Sequence, residues 1–124
     1  MANHRILIVE DSPTMRQLLV FALKRLKGVE IVEAQDGMDG LRKVTSDDFS
    51  LALIDINMPV MGGFEMIREV RKLPQYEKTP IFILTTESTR NAALEGKTAG
   101  ATAWIVKPFS PQLLLRGINK VLGG

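Results

Sequence analysis

The 124-residue chain contains no cysteine, which excludes disulfides and thiolate metal sites and fits a reducing compartment. It has no apolar run approaching the roughly 20 residues needed to cross a bilayer. The opening Met1-Ala2-Asn3-His4-Arg5 enters an apolar stretch directly and leaves no room for a cleavable leader, so a cytoplasmic location is expected, with no membrane partner. A large excess of one charge is missing as well: 16 basic against 14 acidic residues leave +2. The cations Lys24, Arg25, Lys27, Arg42, Lys43, Arg68, Arg71, Lys72, Lys97 and Lys120 are scattered, many near expected helix C-termini, where they complement the helix dipole. They read as a solvated surface and not as a nucleic-acid patch. Histidine is nearly absent: His4 alone stands in an N-terminal tail and is assigned no role. No repeat, linker or low-complexity segment interrupts the chain, which reads as one domain over residues 1–124.

What is present is a series of short, unbroken apolar runs, the pattern of strands buried on both faces of a parallel sheet. They are Ile6-Leu7-Ile8-Val9, the partly alternating Val29 to Ala34, Leu51-Ala52-Leu53-Ile54, Ile81-Phe82-Ile83-Leu84 and Ala103-Trp104-Ile105-Val106. Helical spacing lies between them. Ser12-Pro13 suits an N-cap followed by proline at the first helical position, and Met15, Leu18, Leu19, Ala22, Leu23 and Leu26 follow, with Gly28 as the expected stop. Asp36-Gly37 reads as a turn, then Met38, Leu41 and Val44 mark a second helix. Gly62-Gly63 punctuates a loop before Phe64, Ile67, Val70 and Leu73, which Pro74 ends. A weaker helix, Ser88 to Ala99, contains Gly96, and Ser110-Pro111 caps a last helix bearing Leu113, Leu114, Ile118 and Val121. Strand and helix alternate five times with short links, which predicts an α/β fold: a doubly wound five-stranded parallel sheet, flavodoxin-like, in strand order 2-1-3-4-5.

Right-handed crossovers then bring several strand ends to one edge. That edge would hold Glu10 and Asp11, Asp55, Thr85 and Lys107. Three carboxylates at one place repel, and a divalent cation relieves the repulsion. Magnesium suits them, because it takes oxygen ligands and keeps open positions for phosphate. Lys107 offers a compact positive charge for a phosphate oxygen and Thr85 a hydroxyl donor. The set fits phosphoryl transfer onto Asp55 to give an acyl phosphate. Met58, Met61 and Met66 read as loop and core packing.

Glu10-Asp11, Asp55-Ile56-Asn57-Met58-Pro59, Thr85 and Lys107-Pro108-Phe109 together resemble the receiver domain of two-component response regulators, over essentially the whole chain. The segment Asp11-Ser12-Pro13-Thr14-Met15-Arg16 and the lack of an output domain are similar to the single-domain chemotaxis members. The resemblance implies a switch that catalyses only its own phosphorylation and dephosphorylation. It implies Asp55 as phosphoacceptor and Mg2+ as cofactor. Asp11, Asp55 and the backbone carbonyl of Asn57 would be the ligands, with Glu10 acting largely through water. Thr85 and Lys107 would contact the phosphoryl group, and the Lys107-Pro108 peptide would be cis. Thr85 and Trp104 would form a switch pair that remodels the surface of the fourth helix, fifth strand and fifth helix, the ring turning inward as Thr85 moves. Asn57 and Glu87 would tune the lifetime of the acyl phosphate. The implied partners are a histidine kinase of the CheA-like kind, a phosphatase and a flagellar motor switch protein, with the chain itself a monomer. Arg90 and Lys97 could meet an acidic partner. Departures from the family pattern are Glu10 for the commoner aspartate, Gly62 for a polar residue, Thr86 for a smaller one, and Gly117 where motor-binding members carry lysine.

Other chemistries stay open. A phosphate sink without output would use the same residues. A haloacid-dehalogenase-like phosphatase would carry a second aspartate two positions after the nucleophile, where Asn57 stands. A flavodoxin-type cofactor binder would meet repulsion from Glu10-Asp11.

Overall fold

The computed structural model describes residues 4–123. The opening residues 1–3, read above as leading straight into a strand, lie outside them. Five strands form one parallel sheet: β1 (His4–Val9), β2 (Val29–Ala34), β3 (Leu51–Ile54), β4 (Ile81–Thr85) and β5 (Ala103–Val106), in the order β2-β1-β3-β4-β5. Five helices connect and cover them: α1 (Pro13–Leu23), α2 (Gly37–Ser46), α3 (Gly63–Arg71), α4 (Arg90–Ala99) and α5 (Pro111–Leu122). The central strand β3 is apolar at every position because both sheet faces are covered, and Leu51 to Ile54 is buried throughout.

Side-chain alternation along the strands divides the interior in two. Leu7, Val9, Ile54, Ile81 and Ile83 face α2, α3 and α4, with Val44, Met66, Ile67 and Val70. Ile6, Ile8, Leu53, Phe82 and Leu84 face α1 and α5, with Leu19, Leu23, Leu114 and Ile118. Each such fully buried aliphatic side chain contributes about 1.5–3 kcal/mol of transfer free energy. The methionine reading holds: Met66 is fully buried, Met61 nearly so, and Met58 packs half-buried from its loop against the same core.

The helix starts follow their caps. Ser12, Thr89 and Ser110 each accept a hydrogen bond from the backbone N–H three residues on, and proline opens α1 and α5. Several expected boundaries move. Helix α1 stops at Leu23, not at Gly28; Gly28 has φ 71° and turns the chain into β2. Asp36 is the N-cap of α2, its carboxylate accepting from Asp39 N, and Gly37 is already helical. Gly62 and Gly63 likewise belong to the start of α3. His4 lies not in a tail but at the first position of β1, where its Nδ1 is 3.1 Å from Ser50 Oγ, at the sheet edge opposite the acids.

Candidate functional site

Strands β1, β3, β4 and β5 end at the same edge, and their ends deliver the expected side chains. Glu10 follows β1, Asp55 follows β3, Thr85 closes β4 and Lys107 follows β5. Three of these sit in a dry setting: Glu10, Asp55 and Thr85 are 2%, 6% and 0% exposed. Carboxylate oxygens of Glu10, Asp11 and Asp55 lie within 4.8 Å of one another, close enough to share one cation. All the donors are hard oxygens, which fits magnesium and leaves nothing for a softer metal.

Lys107 partly neutralises this charge. Its ammonium donates to Glu10 Oε1 at 2.6 Å and stands 3.7 Å from Asp55 Oδ2. Glu10 is held at every polar atom: its second carboxylate oxygen accepts from Ser12 N, its N–H donates to Ala34 O, and its carbonyl accepts from Arg16 Nη1. Asp55 Oδ1 accepts from Asn57 N at 3.4 Å. Asp11 opens toward solvent. Desolvation on its cleft side, then its hydrogen bond and charge repulsion with Glu10, push its carboxyl above the usual aspartate range.

Behind the edge, the backbone of one residue, Glu87, joins the two residues of the expected switch. Glu87 N donates to Thr85 Oγ1 at 3.1 Å, and Glu87 O accepts from Trp104 Nε1 at 3.0 Å. The indole is half-buried. It stacks on Phe64 of α3, with centroids 6.2 Å apart and planes at 22°. On its other side lies Gly96 of α4, where an added Cβ would stand 2.8 Å from Trp104 Cζ3 and 2.9 Å from Ile83 Cδ1. The glycine that weakens α4 in the sequence is therefore what lets the ring fit. Gly96→Ala should displace the indole and shift Trp104 emission. Overpacking of about 1–3 kcal/mol, less a helix-propensity gain of about 1 kcal/mol, leaves a net loss near 1 kcal/mol in urea unfolding.

The Lys107-Pro108 peptide is cis, as expected. Sequence reasoning missed the turn after Pro59. Met61 N donates to Pro59 O at 2.8 Å across Val60, whose φ is 71°. A β-branched residue there is strained, and the turn drives Met61 into the core beside Gly37. No composition signal marks it, because glycine or asparagine is the usual occupant of that conformation.

A doubly wound sheet carrying an acid cluster, a hydroxyl and a lysine at its carboxyl edge is the frame of a signalling receiver. The chain belongs to the response regulator receiver domain family, whose model matches residues 6–119. It is a CheY-like member. A chemotaxis protein CheY homolog of Campylobacter jejuni is 37% identical over 120 residues, 96% of this chain and 92% of that protein. Chemotaxis response regulator CheY4 of Vibrio cholerae has the same architecture, with a TM-score of 0.88, 43% identity and 98% coverage of both chains. The receiver domain of sensor histidine kinase PA1611 of Pseudomonas aeruginosa, solved with a magnesium ion coordinated in its active-site cleft, superposes with a TM-score of 0.90 at 27% identity, over 99% of this chain and all of that one. Its role is thus in two-component signalling. No described helix is long and apolar enough to cross a membrane.

Proposed function

We propose that the chain is a chemotaxis switch in the cytoplasm, phosphorylated on Asp55 by a CheA-like histidine kinase in a magnesium-dependent step. The observation that carries this reading is the convergence of Glu10, Asp11, Asp55 and Lys107 at one sheet edge, with carboxylate oxygens of the three acids within 4.8 Å. Asp11, Asp55 and the carbonyl of Asn57 would hold the ion, with Glu10 acting through water. When bound, the ion neutralises the carboxylates and the incoming phosphoryl oxygens. The magnesium in the PA1611 receiver cleft supports this assignment.

Asp55 attacks phosphorus through a carboxylate oxygen. The new P–O bond forms as the P–N bond to the donor imidazole breaks, and the imidazole leaves with the bonding pair. Lys107, already within 3.7 Å of Asp55, swings to a phosphoryl oxygen. The hydroxyl of Thr85 accepts from Glu87 N and keeps its own hydrogen for the phosphoryl group. Since Glu87 also holds Trp104, a shift of Thr85 reaches the α4-β5-α5 face, where a flagellar switch protein would dock. Asn57 and Glu87 flank the phosphoryl position and set its hydrolysis rate, alone or with a phosphatase. Asn57 cannot act as the general acid of a turnover phosphatase.

Magnesium with beryllium fluoride should change Trp104 emission saturably, and Asp55→Asn should remove the response while leaving the fold intact by circular dichroism. Absence of any magnesium-dependent response from the native protein by emission or calorimetry would overturn the assignment. A pull-down enriched for a motor switch protein only in the beryllium fluoride form separates a motor regulator from a phosphate sink.

A further inference from the structure

The guanidinium of Arg71 stands out among the cations because it makes four bonds and all of them go to backbone carbonyls. Nε and Nη2 donate to Gly100 O at 3.1 and 2.7 Å, while Nη1 donates to Tyr76 O and Thr79 O, both at 2.6 Å. It pairs with no carboxylate among the described residues, and burial lowers its pKa without an offsetting anion. Gly100 is the left-handed C-cap of α4, with φ 116°, and an added Cβ there would meet the Arg71 stem at 2.9 Å. One side chain at the end of α3 therefore fastens the last turn of α4 to the segment entering β4.

The rest of α4 has little else holding it. Its buried residues are Gly96 and Ala99, both in the C-terminal half, and Leu94 is 54% exposed. Its N-terminal half is exposed or half-buried, and its ion pair Arg68–Glu95 is solvent-exposed. That loose end follows Glu87, the residue bonded to both Thr85 and Trp104.

We propose that Arg71 is the pivot of α4, a positioning residue that fixes its C-terminal end so that a change at Thr85 is converted into movement of the N-terminal end. The output half of this statement rests on the function proposed above; the pinning does not.

An unpinned helix frays from both ends, so its amide protection peaks in the middle. The pivot predicts a gradient instead. In the unligated protein, the amides of Ala99, Gly100 and Ala101 should exchange at least about tenfold more slowly than those of Leu94 and Glu95. Arg71→Met, which keeps the stem and loses the fork, should erase this gradient while strand amides stay protected. Arg71→Lys, which keeps charge but cannot bond on both sides, should reduce it. With magnesium and beryllium fluoride, exchange should change over residues 87–95 and not over 97–101. Protection that peaks mid-helix in the native protein, or that survives Arg71→Met unchanged, overturns the pivot; if the variants do not fold, the native gradient decides. A flat response to beryllium fluoride alone would sink the phosphoacceptor reading instead, and the unligated arm would still judge the pinning.

Discussion

Gly63→Ala is expected to cost about 3 kcal/mol or more, measured as the loss of unfolding free energy in urea. The first residue of α3 is pressed against the backbone of Asp55 and Ile56. A Cβ at Gly63 would stand 2.4 Å from Asp55 O and 2.7 Å from Ile56 Cα. These are backbone atoms at the end of the central strand, and Gly63 N is bonded to Ile56 O at 3.1 Å, so neither side yields by a rotamer change. Relief needs α3 to back away from β3, which opens the packing around Met66, Ile67 and Val70. Gly62 next door is the control: its nearest contact would be Ile56 O at 3.4 Å, and Gly62→Ala should change stability by less than about 1 kcal/mol. The contrast between adjacent glycines is what the geometry demands. Equal costs at the two positions would contradict the close approach.

Gly63 also marks where reading the chain stops working. The sequence signals Gly62-Gly63 as loop punctuation, because a glycine pair carries no information about what stands across from it. The strands were legible for the opposite reason. A run such as Leu51 to Ile54 encodes burial on both faces in four consecutive residues, and the helix caps Ser12-Pro13 and Ser110-Pro111 are equally local. The site was legible because each of its members sits one or two steps beyond such a run, so correct strands place the acids, Thr85 and Lys107 without side-chain information. Arg71 was not. A cation in the last turn of a helix satisfies the dipole rule and reads as surface, yet its partners are carbonyls 5, 8 and 29 residues away. The Val60 turn and the early end of α1 failed for the same reason: tertiary packing overrides weak local preference.

Asp11→Asn is expected to lower magnesium affinity about 100-fold while making the metal-free protein more stable. Losing one unit charge near the ion removes a few kcal/mol of attraction at an intermediate effective dielectric, part of which water restores. The same charge is a liability when no cation is present. Asp11 shares the edge with Glu10 and Asp55, and the single ammonium of Lys107 is spent mainly on Glu10 at 2.6 Å. The raised carboxyl of Asp11 gives the sign. Its folded form binds a proton more tightly than the unfolded chain, so its stabilising contribution is complete below the ordinary aspartate value of about 4 and is lost as pH rises through the higher folded value. At neutral pH the metal-free native protein therefore carries the desolvation of the Asp11 charge and its repulsion from Glu10, both of which Asn removes. Calorimetric titration with magnesium, paired with thermal unfolding at pH 4 and pH 7 with and without the ion, tests both halves. The native protein should gain Tm with magnesium and Asp11→Asn should not. A variant that is less stable than the native protein without metal would mean that Asp11 is held by structural bonds, and that the crowding of charge does not govern this edge.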